Sequence, residues 1–286
     1  AHELFKLPEF VNKMMENKWL GSKTGQGFYK KEGKDILTLD LDTLEYRANK
    51  KASFATLELT KTIEKPIDRF KVLVTGKDKA GEFYRKNFAS MFQYCSNRIP
   101  EITDAFYKID DAMKAGFGWE NGPFEIWDAI GVEKGIELMK AEGYQPASWV
   151  TDMVASGVTS FYSIKDGATH FYSITNKKVE KIPGQDAFII LNNIRESKKI
   201  WNNSDAIITD LGDGIINLEF TSKMNSIGAG VLQGINKAID IAEKDYNGLV
   251  IGNQGANFSV GANLGMIFMM AVEQEYDELN MAIKMF

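Results

Sequence analysis

The residues best placed to do chemistry lie in one stretch, Gly248-Leu-Val-Ile-Gly-Asn-Gln-Gly-Ala-Asn-Phe-Ser-Val-Gly-Ala-Asn-Leu-Gly-Met266. The apolar run Leu249, Val250 and Ile251 reads as a strand, and the Gly- and Asn-rich residues after it read as a loop returning through Phe258-Ser-Val260 to Gly261-Ala262. Gly261 has no side chain and Ala262 has only a methyl group, so main-chain N–H groups here can come close to a ligand oxygen. Such donors, aimed at a carbonyl oxygen, stabilise the negative charge that develops on it during addition, and the chemistry indicated is that of an oxyanion hole. The alternative is a loop of an α/β domain with no chemical part.

Composition removes several other chemistries. The chain has 286 residues, 44% hydrophobic and 26% charged, which is globular composition with room for two domains. A net charge of −5 and a pI near 5.3 argue against a nucleic-acid partner, and the Lys30-Lys31, Lys50-Lys51 and Lys177-Lys178 pairs read as solvated surface. With His2 and His170 the only histidines and Cys95 the only cysteine, a His/Cys zinc site is not expected, and no metal is assigned. His170 falls in an alternating strand pattern, and Cys95 reads as a small buried hydrophobe in a reducing compartment. No apolar run approaches the roughly 18 residues of a membrane span, and no secretory leader opens the chain. A cytoplasmic protein without a membrane partner is expected.

Two glycine clusters imitate nucleotide motifs. In Leu20-Gly-Ser-Lys-Thr-Gly-Gln-Gly-Phe-Tyr29 the Lys-Thr pair precedes the second glycine, the reverse of a phosphate-binding P-loop. In Gly228-Ala-Gly-Val-Leu-Gln-Gly234 the glycines do not directly follow a strand, because residues 221–227 intervene. They read as the start of a helix over 231–243.

Apolar positions at three-and-four spacing predict a helix from Pro8, and residues 36–41 alternate like a short strand. From Asp68 the chain is helix-rich, and Phe83, Tyr84, Phe88 and Phe92, within a helix over 80–95, are expected in a core. Gly116 and Gly118 are expected to stop a helix at Lys114-Ala115. Gly122-Pro123 then opens the next, with Glu125 and Asp128 near its positive end. Residues 158–164 and 169–174 read as a hairpin around Asp166-Gly167, and 205–220 as two strands around Gly212-Asp-Gly214.

Phe258-Ser-Val-Gly-Ala-Asn-Leu264 resembles the signature of the crotonase (enoyl-CoA hydratase/isomerase) family, with Asn263 where that family has Asp. The resemblance extends back through 205–220 to Ser222-Lys-Met-Asn225, a basic residue and an Asn before a long helix. It implies that Ala262 supplies an oxyanion-hole N–H, that Gly261 shapes the supporting turn, and that Lys223, Met224, Ala262, Asn263, Leu264 and Gly265 line the CoA and acyl chain. Two other segments, 20–29 and 97–131, resemble the C-terminal domain of 3-hydroxyacyl-CoA dehydrogenases. The second carries Asn97-Arg98, the Ile109-Asp-Asp-Ala-Met-Lys114 helix and Gly122-Pro-Phe124. Asn97 matches the family's substrate-touching Asn, within what resembles a second, duplicated copy.

Together these resemblances imply a multi-domain α and α/β protein: a mostly helical dehydrogenase C-terminal-like domain followed by a partial crotonase-like α/β domain. The expected boundaries are 1–50 for the end of a first dehydrogenase-like unit, 51–150 for a second, 151–200 for a β-hairpin connector and 201–286 for the crotonase-like part. The implied parent is a bifunctional β-oxidation enzyme that hydrates 2-enoyl-CoA and oxidises 3-hydroxyacyl-CoA. NAD would be bound by a domain outside this chain, and a CoA thioester would be the substrate. These residues are expected to be an inactive piece of that enzyme, because the family's glutamates and NAD fingerprint are not among them. A homo-oligomer with acyl-CoA as its ligand is expected. The alternative is a non-catalytic acyl-CoA-binding or oligomerisation module.

Overall fold

Pro8, itself extended at φ −61° and ψ 154°, sits at the N-cap and admits the helix α1 (Glu9–Glu16) directly after it. The computed structural model describes residues 6–285 apart from Ala256 and Asn263, and the chain divides into two compact units at 161/162. In the first unit, α1 is followed by an antiparallel three-stranded sheet of β1 (Tyr29–Glu32), β2 (Asp35–Leu39) and β3 (Tyr46–Ala48), in that order. β2 is the strand expected from the alternation at 36–41, whereas no sequence pattern announces β3. The 20–29 run is a tight knot: a Cβ on Gly27 would stand 2.8 Å from the Gly21 Cα, so backbone approach explains that glycine.

The helices that follow in this unit are α2 (Ala55–Thr60), α3 (Pro66–Thr75), α4 (Lys79–Asn97), α5 (Tyr107–Phe117), α6 (Pro123–Ile130), α7 (Val132–Ala141) and α8 (Ser148–Ala155). Their shared core is aromatic. Phe92 stacks on Trp127 at 4.6 Å between centroids, and Phe161 meets Trp127 edge-on at 5.0 Å. Phe106 and Phe124, both fully buried, pack at 5.0 Å. Of the four aromatics expected in this core, Phe88 and Phe92 are buried, but Phe83 is 60% exposed and only lies edge-on against Tyr84. The helical stripe is narrower than the apolar residues that decorate it.

A second correction concerns α5, which does not stop at Lys114-Ala115 but runs through Gly116 to Phe117. Only Gly118, at φ 67° with its N–H donating to the Lys114 carbonyl, is the left-handed cap. Beyond it, Asp110 is fully buried and closes the start of α6, accepting from the N–H groups of Phe124 (2.9 Å) and Glu125 (3.1 Å). Gly122 is forced by this contact, since a Cβ there would stand 2.3 Å from the Asp110 Cβ. Glu125 returns to the Gly122 N–H at 2.8 Å and accepts from Lys114 at 2.7 Å. Asp128 instead takes the Phe161 N–H at 2.7 Å.

The second unit opens with the hairpin expected from the sequence, β4 (Tyr162–Lys165) and β5 (Ala168–Ser173), around Asp166 (φ 52°) and Gly167 (φ 73°). Tyr162 lies opposite Phe171. A third strand, β6 (Lys178–Lys181), extends the sheet beyond the expected hairpin. After the short α9 (Leu191–Ile194) comes a four-stranded sheet of β7 (Lys199–Asn202), β8 (Ala206–Gly212), β9 (Ile215–Phe220) and β10 (Gly248–Ile251), ordered β10-β9-β8-β7.

β8 and β9 are antiparallel around the Gly212-Asp213-Gly214 turn, where all three residues have positive φ. β9 and β10 are parallel, joined by the crossover helix α10 (Ala229–Asp245). Ile208, Ile216 and Leu218 meet Val231 and Ala238 of α10 in a fully buried cluster. A Cβ on Gly234 would stand 2.7 Å from that of Ala206, so this glycine lets helix and sheet close together. The buried Glu219 of β9 is held bidentately by Arg195 at 2.8 and 2.5 Å. Helices α11 (Leu264–Val272) and α12 (Tyr276–Met285) follow. No helix among the described residues is long and apolar enough to cross a membrane.

The Asp110 cap carries a measurable load. Asp110→Ala leaves two N–H groups at the start of α6 without their acceptor, and we expect a loss of about 2–4 kcal/mol in urea unfolding followed by tryptophan fluorescence. A loss below about 0.5 kcal/mol would show that the buried carboxylate is dispensable.

Candidate functional site

Because β9 and β10 run parallel, the loops leaving their C-terminal ends emerge side by side, which is where α/β sheets place ligands. The first loop is 221–228, and it contains Lys223 and Met224. The second is 252–263, and it contains Gly261 and Ala262. Strand pairing continues briefly past the sheet: Gly252 N–H donates to the Leu218 carbonyl at 3.1 Å, and the buried Asn217 donates its side-chain amide to the Gly252 carbonyl at 3.1 Å.

From there the second loop is held by side chains bonded to backbone. Asn253 accepts the Phe220 N–H at 2.7 Å and donates to the Phe258 carbonyl at 2.6 Å. Asn225 donates to the Asn257 carbonyl at 2.9 Å, while Ser259 donates its hydroxyl to the Asn225 carbonyl at 2.7 Å. The same Ser259 oxygen accepts the Gly261 N–H at 3.0 Å. Met224 and Asn225 are both left-handed, at φ 56° and 55°, an arrangement costing roughly 1–3 kcal/mol per non-glycine residue. The clamp to the second loop holds them there.

The pairing geometry decides what Ala262 offers. Ile227 pairs in parallel with Ala262, and its N–H donates to the Gly261 carbonyl at 2.9 Å. In that register the Ala262 N–H points away from Ile227. No acceptor meets it among the described residues, and Ala262 is only half-buried. Gly261, at φ 82°, makes the turn that presents it, a conformation that favours glycine. Leu264 and Gly265 lie exposed in the first turn of α11, whose N-terminal end favours negative charge. Lys223 is exposed with no ion pair among the described residues, and the Met224 side chain is exposed beside it. Asn263 lies outside the described residues. Lys223 and Met224 thus lie on a loop bonded, through Asn225 and Ile227, to the loop that carries Gly261 and Ala262. The clamp residues Asn225, Asn253 and Ser259 escape a reading by motif, and the density of Asn between 253 and 263 is the signal that could have found them.

Asn97 belongs to the other unit, where it ends α4 exposed, its amide turned back onto the Gln93 carbonyl at 2.8 Å. The glycines of 228–234 do not fit a dinucleotide. They lie at the start of α10, as the sequence leads one to expect, but a Cβ on Gly230 would stand 2.2 Å from an Asp205 carboxylate oxygen. The space beside this helix start is therefore filled by a negative side chain, and NAD has no cradle there. Among the described residues no group of three or more His, Cys, Asp or Glu side chains could hold a metal ion. The Glu275 carboxyl is raised from its ordinary value by the charge of Glu278, then by burial and Glu273.

Two measurements test this description. Ser259→Ala removes both bonds of the hydroxyl, and hydrogen exchange at the Gly261 amide should accelerate at least about tenfold with global stability changed by no more than about 1 kcal/mol. Unchanged exchange would mean that the clamp does not hold the turn. For Cys95, burial first and the charge of Asp110 second push the thiol up to about 12. At pH 8 the thiolate fraction is then about one in ten thousand. Iodoacetamide should label the folded chain orders of magnitude more slowly than the urea-unfolded chain, and equal rates would contradict this environment.

No protein-family model matches the chain, and neither does any solved structure. It is 41% identical over 285 residues to a probable 3-hydroxyacyl-CoA dehydrogenase of Bacillus subtilis (strain 168), covering 99% of this chain and 36% of that protein. It is 24% identical over 288 residues to a putative fatty acid oxidation complex trifunctional enzyme of Rickettsia felis, again 99% of this chain and 35% of the relative. A protein with the same description from Rickettsia prowazekii (strain Madrid E) matches at 24% over the same span. The chain therefore spans about a third of the length of the curated relatives it matches, and along almost its whole length it is a homologue of a 3-hydroxyacyl-CoA dehydrogenase and of fatty acid oxidation trifunctional enzymes.

Proposed function

We propose that this chain is part of a bifunctional β-oxidation enzyme that hydrates 2-enoyl-CoA and oxidises the resulting 3-hydroxyacyl-CoA with NAD. The observation that carries the hydratase half is the Ala262 N–H, which meets no acceptor among the described residues and is presented by a glycine turn between two clamped loops. In this reading the amide donates to the thioester carbonyl oxygen and stabilises the enolate charge that forms as water adds to the double bond. Gly261 keeps the approach open, and the α11 N-terminus adds a favourable dipole. Lys223, Met224, Asn263, Leu264 and Gly265 flank the CoA moiety.

The dehydrogenase half is supported by the names and extent of the relatives. In it, the segments 20–29 and 51–150 serve as C-terminal-like parts of the oxidising module, Asn97 is a candidate substrate contact, and NAD is held by a domain outside these residues. The remaining donor and the proton-transferring carboxylates of hydration lie outside them as well, so this segment alone is inactive. Its setting is the cytoplasm.

A full-length enzyme containing this segment tests the reading. Ala262→Pro removes the N–H without adding a charged group. Hydration of crotonyl-CoA should fall about 10²–10³-fold, with far-UV circular dichroism unchanged and NAD-linked oxidation retained. Undiminished hydration with the fold intact would end the assignment.

A second reading, a subunit-assembly role, draws on the apolar side chains that α11 and α12 leave exposed, among them Leu264 at 76% and Phe268 at 67%. Under it the chain dimerises in sedimentation experiments, and Phe268→Asp returns it to monomer. A monomer at all concentrations would exclude it.

A further inference from the structure

The first unit holds a cavity of about 640 Å³ between the C-terminal half of α4 and the helix α5. Its volume is in the range of small-molecule pockets. Ile109, Ala112 and Met113 of α5 give it an apolar wall, and Arg98 and Thr103 give it a polar end. Its lining residues all belong to the first unit, the Ala262 loops to the second, and Asn97 is not among the residues that line it.

Arg98 is the unusual member. Its Nη1 donates to Glu101 at 2.6 Å, and the guanidinium lies 5.7 Å from the centre of the Tyr94 ring. Its Nε is buried and has no acceptor. Such donors are rare in folded proteins because an unmet buried N–H is costly. The partner on Nη1 is a rim carboxylate, 65% exposed, and of the three guanidinium nitrogens only that one has an acceptor among the described residues. Besides Arg98, the charged side chains on the cavity are Lys108 and Asp104, both exposed and offsetting one another; Cys95, pushed up to about 12, and Tyr94 also line it. What remains is Arg98 Nη2, without an acceptor among the described residues and not closed off from solvent, on a cavity with an apolar wall.

We infer that this cavity binds a carboxylate carrying an apolar chain, the carboxylate accepting from Arg98 Nη2 while the chain lies along Ile109, Ala112 and Met113. A guanidinium N–H and a carboxylate form a charge-assisted hydrogen bond, which an alcohol cannot reproduce and which a bare anion satisfies without using the wall. Nothing in this assignment depends on the hydratase reading, because it rests on side chains of the other unit.

Calorimetric titration of the chain with octanoate, 1-octanol and inorganic phosphate tests it. Octanoate should bind saturably at one site, 1-octanol at least about tenfold more weakly, and phosphate without saturation. Arg98→Gln should weaken octanoate at least about tenfold. Ala112→Trp, at an exposed helix position where the fold tolerates bulk, should fill the cavity and abolish binding, and it keeps the test decisive if Arg98→Gln unfolds. The inference is overturned if octanoate gives no saturable heat, if octanol or phosphate binds as tightly, or if Ala112→Trp with native circular dichroism binds octanoate unchanged.

Discussion

Backbone polar groups buried in the second unit's loops need partners, and the parallel pairing of β9 with β10 sets which ones the strands themselves can supply. Two parallel strands deliver two loops to the same edge, and neither loop has a ladder to complete. The chain meets the requirement with side chains: Asn217, Asn225, Asn253 and Ser259 each bond a main-chain group of the second loop or its neighbour. The short continuation of pairing at Ile227 and Ala262 then fixes the orientation of the Gly261–Ala262 peptide. Orientation, more than residue type, gives Ala262 its available donor. A methyl side chain contributes nothing except the space it does not occupy.

The first unit solves the same problem in the opposite sense. Asp110 is a carboxylate with no exposure, and its oxygens are committed to the N–H groups at the start of α6. Because the carboxylate must sit against the helix start, Gly122 has to lack a side chain, and Pro123 can occupy the first helical position without wasting a donor. The Gly-Pro-Phe-Glu sequence is thus the imprint of a cap coming from fourteen residues upstream in the chain. Trp127 next finds its own acceptor in the Val132 carbonyl at 3.0 Å, and a Cβ on Gly135 would stand 2.0 Å from its ring nitrogen. Packing and hydrogen bonding specify the same few glycines.

This contrast explains which features the amino-acid sequence discloses by itself. The hairpin at Asp166-Gly167, the turn at Gly212-Asp-Gly214, the Pro-opened helices and the helix after Gly228 are local: their residues carry the φ values or missing donors that the turn or cap requires. Strands β3 and β6 are not legible, since Tyr46-Arg-Ala48 and Lys178-Val-Glu-Lys181 are short and polar, and their neighbours β2 and β5 make them strands. Gly116 misleads for the same reason, because a helix already paired with α6 through Asp110 continues past one glycine. In the loop site, the glycine and alanine at 261–262 announce an open backbone, but the clamps that tie this loop to β9 and the first loop join residues 32 to 34 apart in sequence and depend on the register of two strands.

The two units therefore use one device with different remainders. Where side-chain acceptors and backbone donors come out even, as at Asp110 and α6, the result is a rigid join with nothing to offer a ligand. At Ala262 the pairing satisfies the carbonyl before it and leaves the amide without an acceptor among the described residues, in a loop held in place by Asn225, Asn253 and Ser259. A donor that is fixed yet unspent does not have to reorganise when charge develops in front of it, and that property distinguishes a catalytic amide from a merely exposed one. A flexible glycine loop would also expose N–H groups, but each would first have to be oriented against its own entropy. The Asn and Ser clamps remove that step, so the choice of short polar side chains around the turn matters to the proposed chemistry as much as the small residues within it.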